Sequence, residues 1–85
     1  MHYLICAIMD KATEGYGRPF VARTENDALR VIQKEVNRND PDNMLYTNTG
    51  DFSLWHVGNW EDETGEVTGL GKPRRLIECS TLKLA

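Results

Sequence analysis

The sequence predicts an α+β fold: a small, mainly antiparallel sheet of four to five strands with one helix packed on one face. Three observations lead there. An apolar run of strand length occupies residues 3–9, and residues 52–60 form a second clear strand rich in aromatic and aliphatic side chains. A single stretch, residues 24–38, has apolar residues at helical spacing. Loop and hairpin residues fill most of what lies between. With 85 residues the chain is one domain, 1–85, since chains split only at much greater length.

Tyr3-Leu4-Ile5-Cys6-Ala7-Ile8-Met9 is apolar at every position, which suits a strand buried on both faces in the middle of a sheet. Asp10 to Gly17 is polar with two glycines and reads as a loop. Arg18 to Arg23 is a short second strand, with Pro19 confining it to an edge or a strand start. Thr24 is placed to cap a helix with Glu25 and Asp27 in its first turn. Ala28, Leu29, Ile32 and Val36 form its apolar stripe, and Arg30, Lys34 and Arg38 the opposite side. It should stop near Asn37 to Asn39, because Pro41 disfavours helical geometry at Asp40.

Asp40 to Asp51 reads as a long loop with Met44-Leu45-Tyr46 anchoring its middle. Phe52 to Trp60 is the next strand, and simple alternation puts Phe52, Leu54, His56, Gly58 and Trp60 on one face and Trp55 on the other. One tryptophan should therefore lie away from the helix and need a cover, either a second copy or a bound base. Glu61 to Glu66 is a hairpin turn with Gly65 in the left-handed conformation. A return strand begins at Glu66-Val67-Thr68, Gly69 to Arg75 is a flexible basic turn, and Leu76 to Leu84 closes the chain as a last strand.

Ten Lys and Arg against thirteen Asp and Glu give a formal charge of −3, which excludes a generally basic nucleic-acid-coating protein but not a locally basic face. Cys6 and Cys79 each sit in an apolar run and read as buried free thiols of a reducing compartment, with a single bridge as the alternative. Met1–Met9 is far shorter than the roughly 20 residues a bilayer span needs, and lacks the marks of a secretory signal. The expectation is a cytosolic protein with no membrane partner.

No nucleophile elbow, zinc-protease, phosphate-loop or dinucleotide motif occurs. His56 reads as a sheet residue, and Cys6 as a thiol kept inert by burial. His2, Cys6, His56 and Cys79 lack the close ligand pairs of a structural zinc site, and the acidic turn does not match a calcium loop. The expectation is no enzyme, no catalytic residue, no metal and no cofactor. The informative segment is Tyr16 to Arg23, where Tyr16, Arg18, Phe20 and Arg23 interleave rings and cations. Single-stranded nucleic acid offers bases to stack and phosphates to neutralise, so these four are candidate contacts. Lys72, Arg74 and Arg75 form a second basic cluster that would add phosphate contacts if the fold brought it beside the first. The plainer alternative buries Phe20 and leaves the cations solvated. Free sheet edges also favour a homodimer.

The first strand ending in Asp10-Lys11-Ala12, then Tyr16-Gly17-Arg18-Pro19-Phe20, the helix start Thr24 to Arg30, the strand Asp51 to Gly58 and the turn Glu61 to Glu66 follow one another in a familiar order. Over Tyr3 to Val67 the chain resembles the small nonstructural protein of gokushoviruses, the single-stranded DNA phages of the Microviridae. The resemblance implies a phage protein in the cytoplasm of the infected bacterial host, with a part in viral DNA replication or single-strand synthesis and a DNA-binding role. The leading expectation is thus a nonenzymatic single-stranded DNA binder. The alternative is a protein-interaction module that recruits or modulates a phage or host replication or packaging protein, which the acidic turn and the 40–51 loop would suit.

Overall fold

The apolar run at the start of the chain becomes the central strand. In the computed structural model, which describes residues 1–84, β1 spans His2–Asp10. β4 (Phe52–Glu61) lies antiparallel along one of its edges for the whole length. Two short strands share the other edge: β2 (Gly15–Tyr16) beside Met9 and Asp10, and β3 (Phe20–Ala22) beside Leu4 to Cys6. β5 (Val67–Glu78) pairs with β4 and completes the order β2-β1-β4-β5, antiparallel throughout. The α+β architecture expected from the sequence is the one observed.

α1 (Glu25–Val36) starts where the sequence places it: Thr24 Oγ1 accepts from the Asp27 amide at 3.1 Å. Its buried stripe, Ala28, Ile32 and Val36, packs with Cys6, Ala22, Phe52, Leu54 and Cys79 into one core, flanked by Leu4, Ile8, Phe20 and Leu29. All of these strand residues belong to one face of the sheet, so the helix covers one side only. Both cysteines are free and buried, and burial pushes the Cys79 thiol up to about 11. Burial also raises Cys6, with the Glu25 charge adding to it.

Three expectations are corrected. The 40–51 loop holds a short helix, α2 (Met44–Thr47), and a 3-10 turn at Thr49–Asp51. Buried Asn43 organises it by capping α2 and donating to the Glu35 and Arg38 carbonyls. The supposed flexible turn at Gly69–Arg75 belongs to β5, which accommodates Leu70 to Pro73 as a bulge between the pairs Gly58–Gly69 and His56–Arg74. Glycine and proline read locally as a turn, but an edge strand tolerates them. The last strand ends at Glu78, and the 3-10 turn Cys79–Leu82 tucks Cys79 and Leu82 onto the core.

The faces of β4 are also corrected. Cys6 pairs with His56 but Ile5 pairs with Gly58, so Val57 is an extra residue, and alternation slips by one. Trp55 (opposite Ala7) and Trp60 (opposite Tyr3) therefore share a face, the one away from α1. Gly58 permits this: a Cβ there would lie 2.8 Å from the Thr68 carbonyl oxygen of β5. The hairpin at 61–66 turns as expected, with Gly65 at φ 76°.

Candidate nucleic-acid interface

Among the described residues no helix covers the second face of the sheet. Its rings stand in two pairs. Tyr16 of β2 meets Trp55 edge-on, with centroids 6.0 Å apart and planes at 89°. Tyr3 of β1 lies against Trp60 at 5.5 Å and 38°. Trp55 is held in place because its Nε1 donates to Ser53 Oγ, two residues back on the same face, at 2.8 Å. Tyr16 is 47% exposed and Val21 50%, values that mark an open apolar surface rather than a core.

A groove of about 300 Å³ opens on this face, lined by Ile5, Pro19, Val21, Trp60 and Val67. Its origin is in the register. The row across the sheet runs Val21, Ile5, Gly58, Gly69, so two of its four positions carry no side chain. Trp60 and Val67, themselves a cross-strand pair, wall the gap that the glycines leave.

The candidate residues divide. Tyr16 and Arg75 lie on the open face, Arg75 directly opposite Trp55. Arg18 and Arg23 flank β3 and are exposed. Lys72 is exposed in the β5 bulge. Arg74 instead pairs with His56 on the helix side and bonds Glu25 at the start of α1. Phe20 pairs with Cys6 and packs on the core, which leaves its ring out of the open-face group. The two basic clusters do not merge into one stripe. β3 and β5 lie on opposite sides of β1 and β4, about 14 Å apart across three strand spacings, with the aromatic pairs between them.

Charge on this face is partly spent internally. Glu78 accepts from Lys11 Nζ at 2.7 Å and from Arg75 Nη1 at 2.9 Å, and the Lys11 contact above all holds its carboxyl below the usual range. Among the described residues Arg18, Arg23 and Lys72 have no acidic partner. The acidic hairpin serves a different purpose. Glu61 and Asp62 each lie 2.8 Å from the Met1 amino group and Glu63 lies 3.7 Å away, so their charge gathers around a cation of the same chain. Hydrogen bonding to the carboxylates of Asp62 and Glu61 raises that amine to about 10, and the amine lowers Glu61 to about 2.

His56 is buried. Its Nε2 lies 2.9 Å from the Gly58 carbonyl and 3.0 Å from Asn59 Oδ1. Both are oxygen acceptors for an Nε2 N–H, and Nδ1 is buried with no hydrogen-bond partner. The ring is a sheet residue, as its place in the sequence suggested.

Tyr3, Ile5, Val21 and Val67 were not singled out from the sequence as part of a site. The alternating pattern of residues 52–60 gives Trp60 the wrong face, and only Gly58 hints at the slip.

No helix of the described residues is long and apolar enough to cross a membrane. Comparison with curated proteins and with solved structures gives no match. The profile of one family, described as Phage ORF5 protein, matches residues 3–82, nearly the whole chain, through every strand and helix of the sheet and its cover. The chain belongs to the Phage ORF5 protein family.

Proposed function

We propose that this phage protein is a nonenzymatic, gokushovirus-type nonstructural protein that binds single-stranded DNA during viral genome replication or single-strand synthesis. The reading rests on one observation: two aromatic pairs stand on an uncovered sheet face with cations along both of its edges. Unpaired bases stack on exposed rings, while phosphates need cations close by. A duplex hides its bases and gains only the charge term. Tyr16, Trp55, Tyr3 and Trp60 supply the stacking, and Arg18, Arg23, Lys72 and Arg75 the phosphate contacts. Arg74, paired with Glu25 on the helix side, makes no phosphate contact. The site of action is the cytoplasm of the infected bacterium.

Fluorescence anisotropy with labelled oligonucleotides tests this. Arg18→Ala should weaken binding to every sequence alike, since a phosphate contact carries no base preference. Unchanged affinity in Arg18→Ala and Arg23→Ala together would count against the reading. Self-association belongs at the free sheet edges, where a second copy extends the face without covering it. Sedimentation should then give the mass of two chains with DNA binding retained, and a single-chain mass would refute the dimer.

The net charge of −3 favours a second reading, a module that docks on a phage or host replication or packaging protein. Charge reversal at the exposed Glu63 and Glu66 separates the two. Loss of a protein partner from infected-cell pull-downs, with oligonucleotide binding intact, would favour the module.

A further inference from the structure

We infer that the groove beside Trp60 receives one unstacked base of the bound strand and does so without reading which base it is. The inference rests on the single-stranded DNA reading and adds a subsite to it. The groove has about 300 Å³, at the lower end of the volumes that hold small planar ligands. Its lining, Ile5, Pro19, Val21, Trp60 and Val67, presents apolar side chains throughout. It offers a ring face and aliphatic walls to stack and enclose a base, and its one side-chain polar group, the Trp60 indole N–H, is a donor that an acceptor on any of the four bases could take. All four bases have such a face, so the groove selects unpaired over paired and not one base over another.

The cations along the β3 wall of the groove favour a polyanion on that side, while the opposite wall, Trp60 and Val67, runs into the acidic hairpin 61–66 and keeps a phosphate backbone to β3. Arg18 precedes Pro19 and Arg23 follows Val21 by two residues, so two cations without acidic partners, among the described residues, bracket the β3 wall. A backbone running along β3 would place phosphates beside them as a base enters. A second copy seated there would confine the same cations between two apolar faces. Glu78, the carboxylate that the register puts on this face, already holds Lys11 and Arg75.

The test uses the full chain labelled with 5-fluorotryptophan, which gives one fluorine resonance for Trp55 and one for Trp60, assigned by Trp→Phe variants. Titration with an oligothymidylate should shift both resonances, and duplex of the same length should leave Trp60 unmoved. An abasic strand of equal length loses every stacking contact, so it should bind well over tenfold more weakly and leave Trp60 unmoved. Filling the groove with Val21→Trp, at a position 50% exposed, should lower affinity for oligothymidylate about tenfold while the abasic strand binds as before. If oligothymidylate moves Trp55 but not Trp60, the groove inference falls and the DNA reading stands. If neither resonance moves and no binding appears at low salt, both fall. A Trp60 resonance that moves with protein concentration, with no response to DNA, would give the groove to a second copy and overturn the inference.

Discussion

Asn43 illustrates how much single polar side chains do in so small a domain. Its Nδ2 donates to the Glu35 carbonyl at 2.8 Å and the Arg38 carbonyl at 3.0 Å, and its Oδ1 accepts from the Leu45 amide at 3.2 Å. Asn43→Ala should leave these backbone groups without their partner in a buried setting and cost about 1–3 kcal/mol in urea unfolding, with the 40–51 segment losing hydrogen-exchange protection first. An effect below a few tenths of a kcal/mol would contradict this account of the segment. At the same scale Tyr16→Ala should remove a stacking contribution of about 1–3 kcal/mol from oligonucleotide binding. Tyr16 is about half exposed, so folding should be little affected, and equal loss of stability and binding would count against a stacking role. The polar pattern of residues 40–51 identified a connection but not the Asn43 bonds, since an asparagine in a loop has the same local appearance whether buried or solvated.

At the scale of elements, the bulge in β4 decides what the open face carries. Gly58→Ala would set a Cβ 2.8 Å from a backbone oxygen that has no flexible side chain to yield, so β5 or the bulge must shift. The expected cost is about 1–3 kcal/mol in chemical denaturation, with altered near-ultraviolet dichroism as Trp60 moves relative to Tyr3. Wild-type stability with an unchanged aromatic spectrum would contradict the role given to Gly58. β1, α1 and the 61–66 hairpin were legible because each declares itself locally, by an unbroken apolar run, a capped periodic stripe and an acidic glycine turn. The faces of β4 and the continuity of β5 were not. Both depend on which residues of neighbouring strands stand opposite, and one inserted residue reverses every later assignment. For the same reason the candidates Tyr16 and Arg75 lie on the open face and Phe20 on the core, Trp60 was read onto the wrong face, and Tyr3 went unnoticed.

Over the whole molecule, the ends of the chain are held by charge. The Met1 amine sits among Glu61, Asp62 and Glu63, and Lys83 lies over the Tyr46 ring, 3.5 Å from its centroid. The amine is raised from its ordinary 8.0 to about 10, so its contribution is fully present below pH 8 and lost as pH rises through 10. Glu61 is lowered from 4.5 to about 2, so its contribution is present above pH 4.5 and lost as pH falls toward 2. The urea midpoint should therefore fall on both flanks, and Asp62→Asn combined with Glu61→Gln should flatten the alkaline one. A variant that keeps the full alkaline decline would assign that decline to other groups.

An acidic protein that offers single-stranded DNA a face of rings edged by cations should reveal those cations in the salt dependence of binding. Each phosphate neutralised releases counterions, so log affinity for a short single strand should fall linearly with log salt concentration, by about 0.7 per contact, and the slope should become shallower in Arg18→Ala. Absence of binding to single strands at low salt, or binding that does not respond to salt, would contradict the account.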